Sequence, residues 1–189
     1  MPETPEEFWE RTRVDLHVPP VAEWESWPFD GELRVRELAA PVEAERPRHG
    51  VGGVGCRRCE RGAADAIWSD ERWMLSPLDK PSGLPVVVLL ETRRHVDFPD
   101  LDDEHAADLG PLMLRITRAV LAVPGVGNVH VGHWGEGGEH CHVWFMARPA
   151  RMGQFRSSFA AIWDDVLPPV PEEIWRANLE LVRRELAAS

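Results

Sequence analysis

The chain has 189 residues, of which 43% are hydrophobic and 28% charged, with a formal net charge of -11, and that length suits one domain with a sizeable core and terminal extensions. Acidic residues are spread along the chain rather than gathered in a tail, and no basic stripe offsets them, which argues against general nucleic-acid binding. No apolar stretch reaches the length of about 18 residues that marks a membrane span, and no charged-then-apolar leader opens the chain, so a cytoplasmic protein without a membrane partner is expected.

Residues 4–13 open with a helix start signal: Thr4 as cap, Pro5 in the first turn and Glu7 to complete a capping box. Residues 17–50 are rich in proline, glycine and acids, with one alternating stretch, "ELRVREL", and read as a loosely packed lead-in that wraps the domain. "HGVGGVGC" (49–56) is a flexible approach to the first cysteine. Residues 66–78 read as two short strands about a polar turn. After the break "DKPSG" comes the strand 84–91, leading through "ETRRH" to His95.

Asp102 or Asp103 then caps a helix running to about residue 122, since Leu109, Leu112, Met113, Ile116 and Val120 recur at helical spacing. Pro111 lies inside that stretch, so a kink or a late helix start is expected. "PGVGN" (124–128) is a turn, 129–134 a strand, 135–139 a loop and 140–147 a second strand. Gln154–Leu167 and Pro171–Ala188 read as C-terminal helices. The layout is α+β: an antiparallel sheet, one central helix and terminal helices. Three segments follow: a lead-in over 1–50, the main domain over 51–150, and C-terminal helices over 151–189.

Cys56 and Cys59 are spaced C-x2-C, and with three cysteines in all a disulfide framework is not expected. A C-x2-C in a turn presents two thiolates to a shared tetrahedral zinc, which needs two further ligands. Cys141 points to the opposite side of its strand from His140 and His142, so histidines must complete the shell. Of the eight in the chain, His95 ends a strand and His140 starts another, both good places for a rigid ligand.

The order C-x2-C, strand pair, apolar strand ending in a basic stretch plus histidine, helix, then a histidine cluster and arginine resembles the histidine triad superfamily of nucleotidyl hydrolases and transferases. The resemblance spans roughly 56–149. The family alternates three histidines with apolar residues; here His140, His142 and Trp144 occupy those positions, with Arg148 beyond. The resemblance implies an antiparallel sheet with a central helix and commonly a homodimer. It also implies that His142 is the nucleophile toward the α-phosphorus of a nucleotide or other phosphorylated small molecule. Zinc-bearing relatives, galactose-1-phosphate uridylyltransferase among them, imply Cys56, Cys59, His95 and His140 as the ligands of a structural zinc.

The departures are informative. An indole donates one N–H but carries no transferable proton, so Trp144 can help hold a phosphate and cannot act as acid or base. The loop "GEGGE" offers Glu136 and Glu139, which repel a phosphate unless turned away, while its glycines can present N–H groups to an anion. His133 and Trp134 precede that loop and are candidate contacts for a base or ribose. Two functions of different class follow: a nucleotidyl hydrolase or transferase working through His142, or a non-catalytic, zinc-stabilised nucleotide-binding or interaction protein. Zinc-activated water ranks last, because four protein ligands leave no open position.

Overall fold

A computed structural model describes residues 3–157 and 159–188. The first helix, α1 (Pro5–Thr12), carries the expected capping box: Thr4 accepts from the Glu7 N–H, and the Glu7 carboxylate accepts from the Thr4 N–H. Up to residue 48 the lead-in holds only a single 3-10 turn at Val21–Glu23. Its alternating stretch 32–38 forms no strand; its side chains meet no partner strand and stay exposed or half-exposed. The segment is nevertheless docked, with Trp27 edge-on to Phe159 at 5.1 Å and the Trp163 indole N–H donating to the Ser26 carbonyl.

A short helix, α2 (Arg57–Arg61), follows the glycine-rich approach, with Cys56 at its N-terminal boundary. Then come β1 (Trp68–Ser69), β2 (Trp73–Pro77) and β3 (Val87–Thr92), the helix α3 (Asp103–Leu121), β4 (Val126–Gly132) and β5 (His142–Pro149). The five strands form one antiparallel sheet in the order β1-β2-β3-β5-β4. Two helices close the chain, α4 (Ala160–Val166) and α5 (Glu172–Ala188). The fold is α+β, as its sequence pattern implies.

Several details differ from the sequence reading: the helix expected over Gln154–Leu167 is a 3-10 turn at Gly153–Phe155 followed by α4 from Ala160, and the strand expected from residue 84 begins at Val87. The helix α3 starts at Asp103 and runs unbroken past Pro111. Pro111 is exposed, so the carbonyl it leaves without a donor can turn to water. Strand β4 begins three residues early, because the Val123–Val126 hydrogen bond closes the turn before Gly127, and a bulge absorbs the irregularity between Val126 and Asn128. Strand β5 begins at His142, so His140 and Cys141 lie on the approach rather than in the strand. There the chain is held by Cys141 N donating to Val96 O instead of by the ladder.

The sheet separates two layers. On one face Leu75, Val88, Leu90, Val143 and Phe145 pack under Ile116 and Val120 of α3 and Val182 and Leu186 of α5. Cys141 joins that core, and burial pushes its thiol up to about 12, so it stays an unreactive thiol. On the other face Val87 and Met146 pack under Phe155, with Trp144, Trp163 and Leu167 beside them. The second layer therefore comes from the C-terminal segment, and α4 sits close: a Cβ on Gly83 would lie 2.5 Å from the Leu167 Cβ. Among the described residues, no helix is long and apolar enough to cross a membrane.

Ile116 is fully buried at the centre of the first layer, so Ile116→Ala is expected to lower unfolding stability by about 3 kcal/mol in urea titrations. Asp102 caps α3, and the His105 N–H and imidazole hold its carboxyl down at about 2. Its folded value lies below the unfolded one near 3.9, so its contribution is present above about pH 4 and fades as pH falls toward 2. The gap in melting temperature between the wild type and Asp102→Asn is expected to narrow over that interval.

Candidate functional site

Gly50, with φ of 76°, begins the turn that delivers the first cysteine; a Cβ there would meet the Cys56 Cβ at 3.0 Å, so both conformation and space call for glycine. Cys56 is buried, and one turn of α2 places Cys59 beside it. His95 lies just past the end of β3, and His140 just before β5. Because these strands are antiparallel with Glu91 opposite His142, the two histidines emerge at the same end of the sheet. Their rings stand 5.2 Å apart.

The four side chains Cys56, Cys59, His95 and His140 offer ligand atoms that all lie within 4.8 Å of one another. His140 Nδ1 is 3.4 Å from the Cys56 Sγ and 3.6 Å from the Cys59 Sγ, and His95 Nδ1 is 3.5 Å from the Cys59 Sγ. A tetrahedral zinc with bonds near 2.3 Å to sulfur and 2.1 Å to nitrogen has sulfur–nitrogen edges of about 3.6 Å. The donor set and its spacing therefore fit that ion. His140 Nε2–H donates to the Thr92 carbonyl at 2.8 Å, which turns the Nδ1 lone pair toward the thiols. Burial lowers the basicity of His140 and so favours the neutral ring a ligand must be.

His142 opens β5. Its Nδ1–H donates to the His140 carbonyl at 2.7 Å, so its Nε2 carries the free lone pair. The ring lines a cavity of about 450 Å³ together with Trp134, Trp144, Glu136, Asp164 and Asp165. The Trp144 ring stands 6.3 Å from His142 and 6.1 Å from Trp134, edge to face in both cases. Three carboxylates face this space, and its lining holds no lysine or arginine. Asp164 is anchored there by accepting from the Leu84 N–H.

His133 does not line the cavity. Its Nδ1–H donates to the His142 carbonyl at 2.8 Å and its ring stacks on Phe98 at 4.4 Å, so it braces the backbone of His142 from behind. Arg148 lies further along β5 and turns away, donating to the Pro149 carbonyl. The loop 135–139 is fastened by the lead-in: His49 exchanges backbone hydrogen bonds with Gly137 and Glu139, and Arg48 bonds the Gly135 carbonyl and Asp97. Burial alone would raise the Asp97 carboxyl, but Arg48 and the Phe98 N–H outweigh it and hold it below the ordinary range. Glu139 is drawn to the cysteine side, accepting from the Gly52 N–H and facing His95 Nε2 at 3.7 Å. Glu136 stays on the cavity wall.

Sequence reasoning missed Asp164 and Asp165. Their spacing carries no chemical pattern, and only the docking of α4 brings them to His142.

No protein-family model matches the chain, and no curated protein is similar to it in sequence. Solved structures are similar in fold. A histidine triad protein from Bradyrhizobium japonicum superposes with a TM-score of 0.52 at 20% identity, over 64% of this chain and 89% of that one. A histidine triad protein from Sinorhizobium meliloti gives 0.51 at 16% identity, over 67% and 93%. A hypothetical histidine triad nucleotide-binding protein from Sulfolobus tokodaii gives 0.50 at 13% identity, over 66% and 84%. At such identities the likeness is one of fold.

Proposed function

We propose that this chain, which has the histidine triad fold, is a nucleotidyl hydrolase or transferase in which His142 Nε2 is the nucleophile. The observation that carries the reading is the Nδ1–H bond to the His140 carbonyl, because it commits Nδ1 to the backbone and leaves Nε2 as the nitrogen that can present a lone pair, on a ring that lines the cavity. Nε2 attacks the α-phosphorus of a nucleoside phosphate and the bond to the leaving oxygen breaks. A covalent nucleotidyl-histidine results, which water or an acceptor then opens. The brace from His133 keeps the attacking strand end in place.

Trp144 sets the chemistry of departure. It offers no proton to the leaving group, so the reading favours phosphoanhydrides, whose leaving phosphate is stable as an anion. Trp134 and Trp144 supply flat apolar surface for a base. In this reading His133 acts through the backbone of His142, and Arg148 is no substrate contact.

Cys56, Cys59, His95 and His140 hold a zinc ion in this reading. Four protein ligands close its shell, so its contribution is structural. The ligands join the approach loop of α2 to the ends of β3 and β5, and His140 passes that order to His142 through its carbonyl. A homodimer is part of the proposal; β4 lies at the sheet edge with one side open to a second copy.

A second reading is favoured by one observation: three carboxylates and no cation face the cavity, and Trp144 replaces the third histidine. On that reading the protein binds a nucleotide without turning it over. The two separate cleanly. Incubation with adenosine polyphosphates and nucleotide sugars is expected to give a nucleotidyl adduct on the peptide carrying His142 by mass spectrometry, absent in His142→Ala. Nucleotide-dependent stabilisation without adduct or turnover would establish the binding protein instead. For the metal, about one zinc per chain by elemental analysis is expected, lost in Cys56→Ser, with a lower melting temperature after chelation; unchanged melting after zinc removal would refute its structural role.

A further inference from the structure

Beside the His142 cavity, on the same side of the sheet, lies a second cleft of about 310 Å³ lined by Arg57, Arg58, Arg61, Asp79 and Glu91. Leu78 lines both spaces. The register carries the face across: His142 of β5 sits opposite Glu91 of β3, which sits opposite Met74 of β2. Strands are about 4.8 Å apart and Glu91 itself lines the cleft, so the cleft begins one strand over from His142 and extends onto β2 at Pro77.

We propose that this arginine cleft is a second anion subsite, one that takes the distal phosphate of a substrate whose α-phosphorus lies at His142; that substrate placement rests on the function proposed above. Three guanidiniums within five residues stand out in a chain of net charge -11. The His142 cavity has no cation of its own, so a phosphate ester must find one beyond it.

The three arginines play different parts. Arg58 is 9% exposed and held by bonds to Glu91, Ser76 and the Gly62 carbonyl. Its Nε is buried and makes no hydrogen bond among the described residues, so Arg58 serves as a fixed positive charge in the cleft wall. Arg57 is exposed and makes no ion pair among the described residues. Arg61 bonds Asp79, but the Asp79 side chain is 65% exposed, and so open a pair is weak. A phosphate presents more charge and more acceptors than one carboxylate, and displaces it. Asp79 is then an internal competitor for the subsite.

The test uses zinc-loaded full-length His142→Ala protein, which cannot react, titrated calorimetrically with inorganic tripolyphosphate. Adding Arg57→Gln and Arg61→Gln is expected to weaken binding by about tenfold, and adding Asp79→Asn, an exposed change, to strengthen it about threefold. Circular dichroism melts check that each variant folds. No measurable tripolyphosphate binding, or an affinity unmoved by the Arg57→Gln and Arg61→Gln changes or by Asp79→Asn, would overturn the subsite. Failure of the His142 adduct in the wild type would overturn the reaction instead, and would leave these affinities as they are.

Discussion

The pairing of β3 with β5 in a single register governs everything functional in this protein. Opposing Glu91 to His142 sends His142 and Trp144 to one face and Val143 and Phe145 to the other. A slip of one residue would bury the imidazole among α3 side chains and expose the core. The same pairing brings the end of β3 alongside the approach to β5, so that the Thr92 carbonyl meets His140 Nε2. The cysteine–histidine cluster and the His142 imidazole thus share one structural cause, and they are joined by one peptide carbonyl, that of His140.

The two faces of the sheet have different histories in the sequence. One is covered by α3 and α5 in an ordinary apolar layer. The other is partly covered by Phe155 and α4, and α4 with the loop 135–137 walls a cavity over the sheet face, while the lead-in docks on α4. Charge is partitioned: Glu136, Asp164 and Asp165 line the cavity with His142, while the guanidiniums of α2 lie beside β3 and β2 near the cysteines. On the function proposed above, this partition would orient a phosphorylated ligand, with the apolar rings beside His142 and the most charged end toward α2.

Electrostatic locking also appears where the backbone is irregular. The lead-in has almost no regular structure, yet Arg48, His49 and Gly52 together hold the loop 135–139 by backbone and carboxylate contacts. This explains how Glu139, one of two acids next to the histidines, is turned from the cavity while Glu136 is not.

Much of the scaffold was readable from periodicity. The 3.6-residue repeat of Leu109 through Val120 located α3, the capping box located α1, and C-x2-C with histidines at strand ends pointed to the cluster now seen at Cys56, Cys59, His95 and His140. The short helix α2 was not readable, since five residues carry too little periodicity, and neither was the late start of β5, where a hydrogen bond from the Cys141 N–H to the Val96 carbonyl replaces the ladder. By itself the sequence determined which residues are chemically able to ligate or attack, and which face of each strand they share. Tertiary structure alone decided that Asp164 and Asp165 line one cavity with His142, that His133 bonds the His142 carbonyl, and that the arginines of α2 lie on the same face of the sheet. The reason is that alternation and helical repeat are local properties of the backbone, whereas the approach of distant segments is settled by how apolar layers pack, and no short-range pattern encodes it.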